Sequence, residues 1–291
     1  MTMPVTLVLG ATGKTGRRIA ERLMRRHWPV RIGSRAGTPP FDWNEHSTWP
    51  AALRGVGAVY VSYYPDLAAP GSAENIRAFA ELAVQSGVRH LVLLSGRGEP
   101  EAQRCEQIVQ QAVADWTLVR CSWFAQNFSE NYLLEPLLTG EVTLPAGNVG
   151  EPFVDVNDIA DVVVAALTGN NHMGQLYELT GPRLWTFAQA IEEIAHVTRR
   201  EIRYREVSIE EYASVLEGAH VRPDFVTLLT YLFSEVLDGR NARMADGVMR
   251  ALGRAPRAFT DYVRDTAATG VWDPSRSSVP AIQAAISKPM R

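Results

Sequence analysis

The sequence predicts a doubly wound α/β protein: a parallel sheet with helices on both faces, then a smaller, mostly helical region. Three observations carry this prediction. Short apolar runs alternate with amphipathic stretches from Val5 to Arg120. A glycine loop, Gly10–Gly16, joins the first apolar run to the first amphipathic stretch. Beyond about residue 150 the alternation gives way to helical spacing.

Val5–Leu9 is an apolar run closed by Gly10, as in a strand buried on both faces. Gly16 to Arg26 then sets Ile19, Leu23 and Met24 at helical spacing among charged residues. Val30–Gly33 reads as a second strand and Ala58–Ser62 as a third, across a helix-poor stretch that contains prolines. Ala73–Ser86 is amphipathic and stops at Gly87, a usual helix end. His90–Leu94 is a buried strand, Glu101–Val113 a helix and Trp116–Arg120 a strand. Parallel neighbours need a crossover, normally a helix, so this alternation builds a parallel sheet. Val154–Leu167, Ala188–Val197, Ile209–Leu216 and Phe225–Leu237 then read as helices, with Leu176–Leu179 a strand among them. The division expected is 1–150 for the sheet domain and 151–291 for a mostly helical substrate-binding region, some of whose elements return to the sheet. The polar tail after Pro274 is expected to be loose.

Within Gly10-Ala11-Thr12-Gly13-Lys14-Thr15-Gly16, each glycine has its own use. Gly10 permits the tight turn, Gly13 lets backbone N–H groups approach a pyrophosphate, and Gly16 allows close helix–strand packing. Between a strand and a helix, this is the fingerprint of a Rossmann-type dinucleotide site, with Thr12, Lys14 and Thr15 in the loop. A triphosphate-binding loop is excluded, because it needs a glycine five residues before Gly13, where Val8 stands. The second strand ends Ile32-Gly33-Ser34-Arg35, without the acid that would hold a ribose 2′-hydroxyl. Arg35, beside Ser34, offers a planar fork to a 2′-phosphate. NADP(H) is therefore the preferred cofactor, with NAD(H) possible. Asp42 and Trp43 are read either as the border of an adenine pocket or as plain loop.

Composition narrows the function. The 291 residues carry a net charge of −3 with a pI near 6.1, which gives no basic field for nucleic acid. No apolar run reaches membrane-spanning length. Cys105 and Cys121 lack metal-site or redox-motif spacing, which points to a reduced, cytoplasmic setting. None of the six histidines has a metal-ligand spacing, and His90, opening a strand, reads as structural. Asp155, Asp158 and Asp161 lie along one short stretch, where Asp158 and Asp161 read as cap and solvated-face residues rather than part of a metal cluster. No metal is expected, and the partner expected is a small-molecule substrate.

Beyond the glycine loop, four segments extend a specific likeness along nearly the whole chain: Ser86–Gly96 (SGVRHLVLLSG), Trp116–Phe128 (WTLVRCSWFAQNF), Glu151–Leu167 (EPFVDVNDIADVVVAAL) and Phe41–Val61. The chain resembles the NmrA-like branch of the atypical short-chain dehydrogenases. Phe41–Val61 is similar to the subgroup of ergot-alkaloid biosynthesis (agroclavine dehydrogenase-like), with relatives in bacterial secondary metabolism. The resemblance implies an extended NAD(P)(H) along the sheet edge and a substrate between the two regions. By position it implies cofactor contacts at Ser62, Tyr63 and Tyr64, and at Ser95, Gly96 and Arg97. Cys121, Ser122, Trp123, Phe124 and Asn127 would form the nicotinamide-side wall, closed by Phe153 and Val154.

The chain departs from ordinary short-chain dehydrogenases in one respect. Their Tyr-x-x-x-Lys motif, in which Lys lowers the Tyr pKa, is absent, since the only lysines are Lys14 and Lys288. Three readings remain. The first is an NAD(P)H-dependent oxidoreductase whose substrate needs little acid catalysis, such as a quinone, an iminium or a conjugated double bond. Tyr63, Tyr64 or Ser95 would then donate any proton, beside Trp123. The second is a cofactor-assisted monooxygenase-type enzyme of aromatic polyketide tailoring, and the third a non-catalytic dinucleotide sensor. Phe225 and Tyr231, with Leu232 and Phe233, are either the wall of a pocket for a flat substrate or core residues at helical spacing.

Overall fold

The structure, a computed structural model, describes residues 4–276. Lys288 and the tail expected to be loose beyond residue 276 lie outside the described residues. Six strands form one parallel sheet: β1 (Val5–Leu9), β2 (Val30–Gly33), β3 (Val56–Val61), β4 (His90–Gly96), β5 (Asp115–Cys121) and, after β6 (Glu141–Leu144), β7 (Gln175–Leu179). Their order is β2-β1-β3-β4-β5-β7, so the direction of winding reverses between β1 and β3. A crevice opens at such a reversal, outside the carboxyl ends of the strands.

The apolar runs explain why β1 is central. Leu7, Val8 and Leu9 are fully buried, with Leu7 and Leu9 on one face and Val8 on the other. The first face is covered by helices Ser72–Gln85 and Pro100–Ala112, the second by Lys14–Arg25 and Val156–Thr168. On helix Lys14–Arg25, Ile19, Ala20 and Leu23 face the sheet. Its neighbouring Arg22 reaches Asp161 (2.9 Å) and Asn157 (2.8 Å) on helix Val156–Thr168. Between β2 and β3, Phe41, Trp43 and Trp49 pack edge-on and stacked against one another and Phe79, filling the stretch that lacks helical periodicity.

A second apolar core lies beyond the sheet. Phe128, Phe153, Phe187 and Phe259 meet with ring centroids 5.1–5.9 Å apart. Around them close the helices Phe187–Thr198, Ile209–Gly218, Pro223–Tyr231 and Phe259–Ala268. This core does not follow a boundary at residue 150. It draws in Ala125 to Ala146, whereas Val156–Thr168 and β7 belong to the sheet layer. A parallel pair, β6 with β8 (Arg203–Glu206), also sits here; at four residues each, they are too short to stand out as strands in the sequence.

The cap of helix Val156–Thr168 is Asp155, through Asn157 N–H (2.7 Å), and not Asp158 or Asp161. Asp158 does not lie on a solvated face. It is wholly buried and paired with Arg254 and Arg257, which come from the far end of the chain and were invisible to local periodicity. His90 is buried, with Nε2 3.0 Å from Thr117 Oγ1.

Candidate active site

The carboxyl ends of β1, β3, β4 and β5 open onto a cavity of about 370 Å³, roofed by helix Pro223–Tyr231 and Leu232. The glycine loop forms its floor. Gly10 turns at φ +62°, which an L side chain resists, and a Cβ on Gly16 would lie 2.2 Å from Gly10 O. Gly16 therefore sets the approach of helix to strand and does not itself line the cavity. Gly13 caps the helix without a side chain, and no acid occupies its first turn. The helix N-terminus thus keeps unpaired N–H groups and a positive dipole end facing the cavity, which fits a pyrophosphate. Beneath the loop, Tyr60 donates to Thr15 Oγ1 at 2.9 Å and holds it in place.

Thr12, Gly13, Lys14 and Thr15 line the cavity, as do Ser34 and Arg35 at the end of β2. Arg35 is exposed and has no ion-pair partner among the described residues. No acidic residue stands beside it in the chain, which fits a 2′-phosphate better than a bare ribose. Asp42 and Trp43 line the same end; Trp43 Nε1 donates to Ser62 O at 3.1 Å, and Asp42 Oδ1 accepts from Asn44 N–H at 3.0 Å. Lys14 reaches away from the loop, donating from Nζ to Asn127 Oδ1 at 2.7 Å and lying 5.9 Å from the Phe124 ring. Burial lowers its pKa to about 8, against the pull of Glu130.

The candidates at the other end are also brought together. Ser62, Tyr63, Tyr64, Ser95, Gly96, Cys121, Trp123, Phe124, Asn127 and Phe225 all line the cavity. Their detailed roles differ from those expected. Ser95 donates to Glu106 at 2.6 Å, and Glu106 is in turn paired with Arg120. Tyr63 OH accepts from Asn75 at 2.8 Å, and burial raises its pKa, with no lysine to lower it. Trp123 is a wall: its ring packs 5.0 Å from Phe233 and 5.3 Å from Phe187.

Three candidates are corrected. Arg97 lines the cavity, but its guanidinium is buried and engaged with Glu178, Ser122, Asn241 O and Arg243 O. It anchors the returning chain and offers no free fork to a phosphate. Phe153 lies in the aromatic core and not in the wall, because the chain after Pro152 turns inward. Tyr231 does not line the cavity; Leu228 and Leu229 of its helix, and Leu232 just after it, do. The residues that sequence reasoning missed are Asp66, Glu99, Tyr132 and Glu151, all in the wall. Glu151 is 1% exposed and accepts Trp123 N–H at 3.3 Å. Its burial raises the pKa to about 7, although Trp123 N–H and Arg97 pull the other way. A glutamate in an otherwise apolar run was the available signal for Glu151; Asp66 and Glu99 lie in loops with none.

No family model matches the chain. It is 30% identical over 277 residues to a (4-alkanoyl-5-oxo-2,5-dihydrofuran-3-yl)methyl phosphate reductase of Streptomyces griseus, covering 88% of this chain and 95% of that one. It is 28% identical over 284 residues to agroclavine dehydrogenase of Claviceps fusiformis, covering 91% and 98%. An NADPH-dependent quinone oxidoreductase of Escherichia coli, solved with NADPH, has the same fold: TM-score 0.75 at 19% identity, over 90% of this chain and 99% of that one. Dinucleotide loop, switch-point cavity and reductase relatives define an NAD(P)(H)-dependent oxidoreductase. The chain belongs to the NmrA-like branch of the atypical short-chain dehydrogenases and reductases.

Proposed function

We propose that this protein is an NADPH-dependent reductase of a flat, conjugated small molecule, a quinone, an iminium or an activated double bond. The observation that carries the reading is continuity: one cavity runs from the glycine loop and Arg35 to a wall of Trp123, Tyr64, Phe225, Leu229 and Leu232. The bound cofactor would supply hydride. Backbone N–H groups at Gly13 and the helix end would hold its pyrophosphate, and Arg35 its 2′-phosphate. The apolar wall would exclude water and hold the acceptor flat against the nicotinamide, and positioning of this kind supplies much of the rate in hydride transfer. Cys105 and Cys121 are both unpaired and buried, which fits a reducing, cytoplasmic setting. No helix among the described residues is long and apolar enough to cross a membrane.

The test is titration with NADPH and NADH, followed by loss of nicotinamide absorbance on a panel of quinones, iminium compounds and aromatic polyketides. Binding with acceptor-dependent oxidation of NADPH is expected. Tight binding with no turnover across the panel would favour a sensor, and oxygen incorporation into a polyketide would favour a monooxygenase.

A further inference from the structure

Asp66 and Glu99 are two carboxyl groups in the wall of the same cavity, near enough that each bears on the other's ionisation. Asp66 stands in the loop after β3, where its Oδ1 accepts Ala68 N–H at 2.8 Å. Glu99 stands in the loop after β4 and is 8% exposed. Its carboxyl lies so close over the end of β4 that a Cβ on Gly96 would fall 2.0 Å from Oε1. Gly98, at φ +74°, turns the chain back to bring it there.

Neither carboxyl has a cation partner among the described residues. Arg97 is occupied by Glu178, Ser122 and two carbonyls. Arg120 is held by Glu106, and Arg240 by Asp238 at 2.6 Å. The other titratable groups facing the pair are Cys121 and Tyr231, both kept neutral by burial, and Glu106, whose charge repels Glu99. Two such carboxyls side by side in a low-dielectric wall disfavour ionising together. Burial, and then the charge of Asp66, hold the Glu99 carboxyl well above the ordinary carboxylate range. A fold gains no stability from an unneutralised pair of acids, so their place in the cavity wall calls for a chemical role.

We propose that Asp66 and Glu99 hold one proton between them and deliver it to a carbonyl-conjugated acceptor as hydride arrives, standing in for the absent Tyr-x-x-x-Lys. The inference rests on the reductase reading and narrows its substrate to acceptors whose reduction requires a proton. In the step, a bound reduced nicotinamide would supply the hydride, whose electron pair the acceptor takes up. The displaced π electrons gather on the acceptor's oxygen or α-carbon, the carboxyl O–H bond breaks, and a new O–H or C–H bond forms there. The pair is left doubly ionised and regains its proton from water. Ser95 and Tyr63 are poorer donors: the Ser95 hydroxyl is committed to Glu106, and burial raises the Tyr63 pKa despite the Asn75 hydrogen bond.

Two readouts separate the pair from the reductase reading. The first uses no substrate: infrared difference spectra at pH 7.5, in a Glu151→Gln background that removes the other buried acid of the wall. A protonated-carboxyl C=O stretch is expected, and it should vanish with Asp66→Asn or Glu99→Gln. Absence of that band in the parent overturns the shared proton, whatever the protein reduces. The second is NADPH oxidation with menadione. Glu99→Gln should lower kcat by roughly a hundredfold with the NADPH Kd unchanged. It should also abolish the fall of kcat that the wild type shows as the pair loses its proton at high pH. Unchanged kcat and an unchanged pH profile in both variants would overturn the donor. If the wild type oxidised no NADPH with menadione or any other acceptor, the reductase reading would fall, while the band alone would decide the pair.

Discussion

Lys14 Nζ and Asn127 Oδ1 meet at 2.7 Å, although 113 residues separate them. The contact joins the glycine loop to the segment after β5, so the two walls that would grip a cofactor are tied before it arrives. Lys14 is buried there, and its pKa is brought down to about 8.

A pH dependence of cofactor affinity follows. Phosphate favours the charged lysine, so binding should take up protons near and above pH 8, and NADPH affinity should fall as pH rises from 7 to 9.5. Lys14→Gln should weaken binding at pH 7 by roughly ten- to a hundredfold, the value of one charge-assisted hydrogen bond, and flatten the profile. Calorimetric titration in two buffers of different ionisation heat measures the proton uptake directly.

Arg35 should select the cofactor. Arg35→Ala is expected to weaken NADPH by roughly tenfold or more and leave NADH nearly unchanged, because only NADPH offers a 2′-phosphate to the fork. Equal weakening of both would remove Arg35 from that role.

Glu151 should make stability fall with rising pH. Its carboxyl is held at about 7 in the fold, above the ordinary value of 4.5, so the folded state binds more protons between those values. The stability it confers is complete below about pH 4.5 and is lost as pH rises through 7, by on the order of 3 kcal/mol. Glu151→Gln should therefore raise Tm at pH 8 and change it little at pH 5, as read by thermal melts across that range.

Arg97 should matter for folding more than for the cofactor. Arg97→Ala leaves two buried chain carbonyls without their donor and Glu178 with Arg243 alone, at a cost of about 3–5 kcal/mol in chemical denaturation. Arg97→Lys should recover little, since one ammonium cannot span the fork's partners. A normal denaturation midpoint with lost NADPH binding would restore the cofactor role.

The fold was legible because its signals are local. A strand buried on both faces is written as an apolar run, and Gly10 and Gly16 are demanded by backbone geometry within a single turn. The glycine loop and Arg35 were accordingly readable at the end of strands β1 and β2. Tertiary structure alone decided which side chains were already spoken for: Arg97 by Glu178, Ser95 by Glu106, Asp158 by Arg257, and Phe153 by the aromatic core. It alone also brought Asp66 and Glu99 together from two loops and put Leu228 and Leu232, not Tyr231, in the cavity wall. Periodicity records which face of an element is apolar, whereas the partner of a buried polar group is set by long-range packing, over separations that no local pattern encodes.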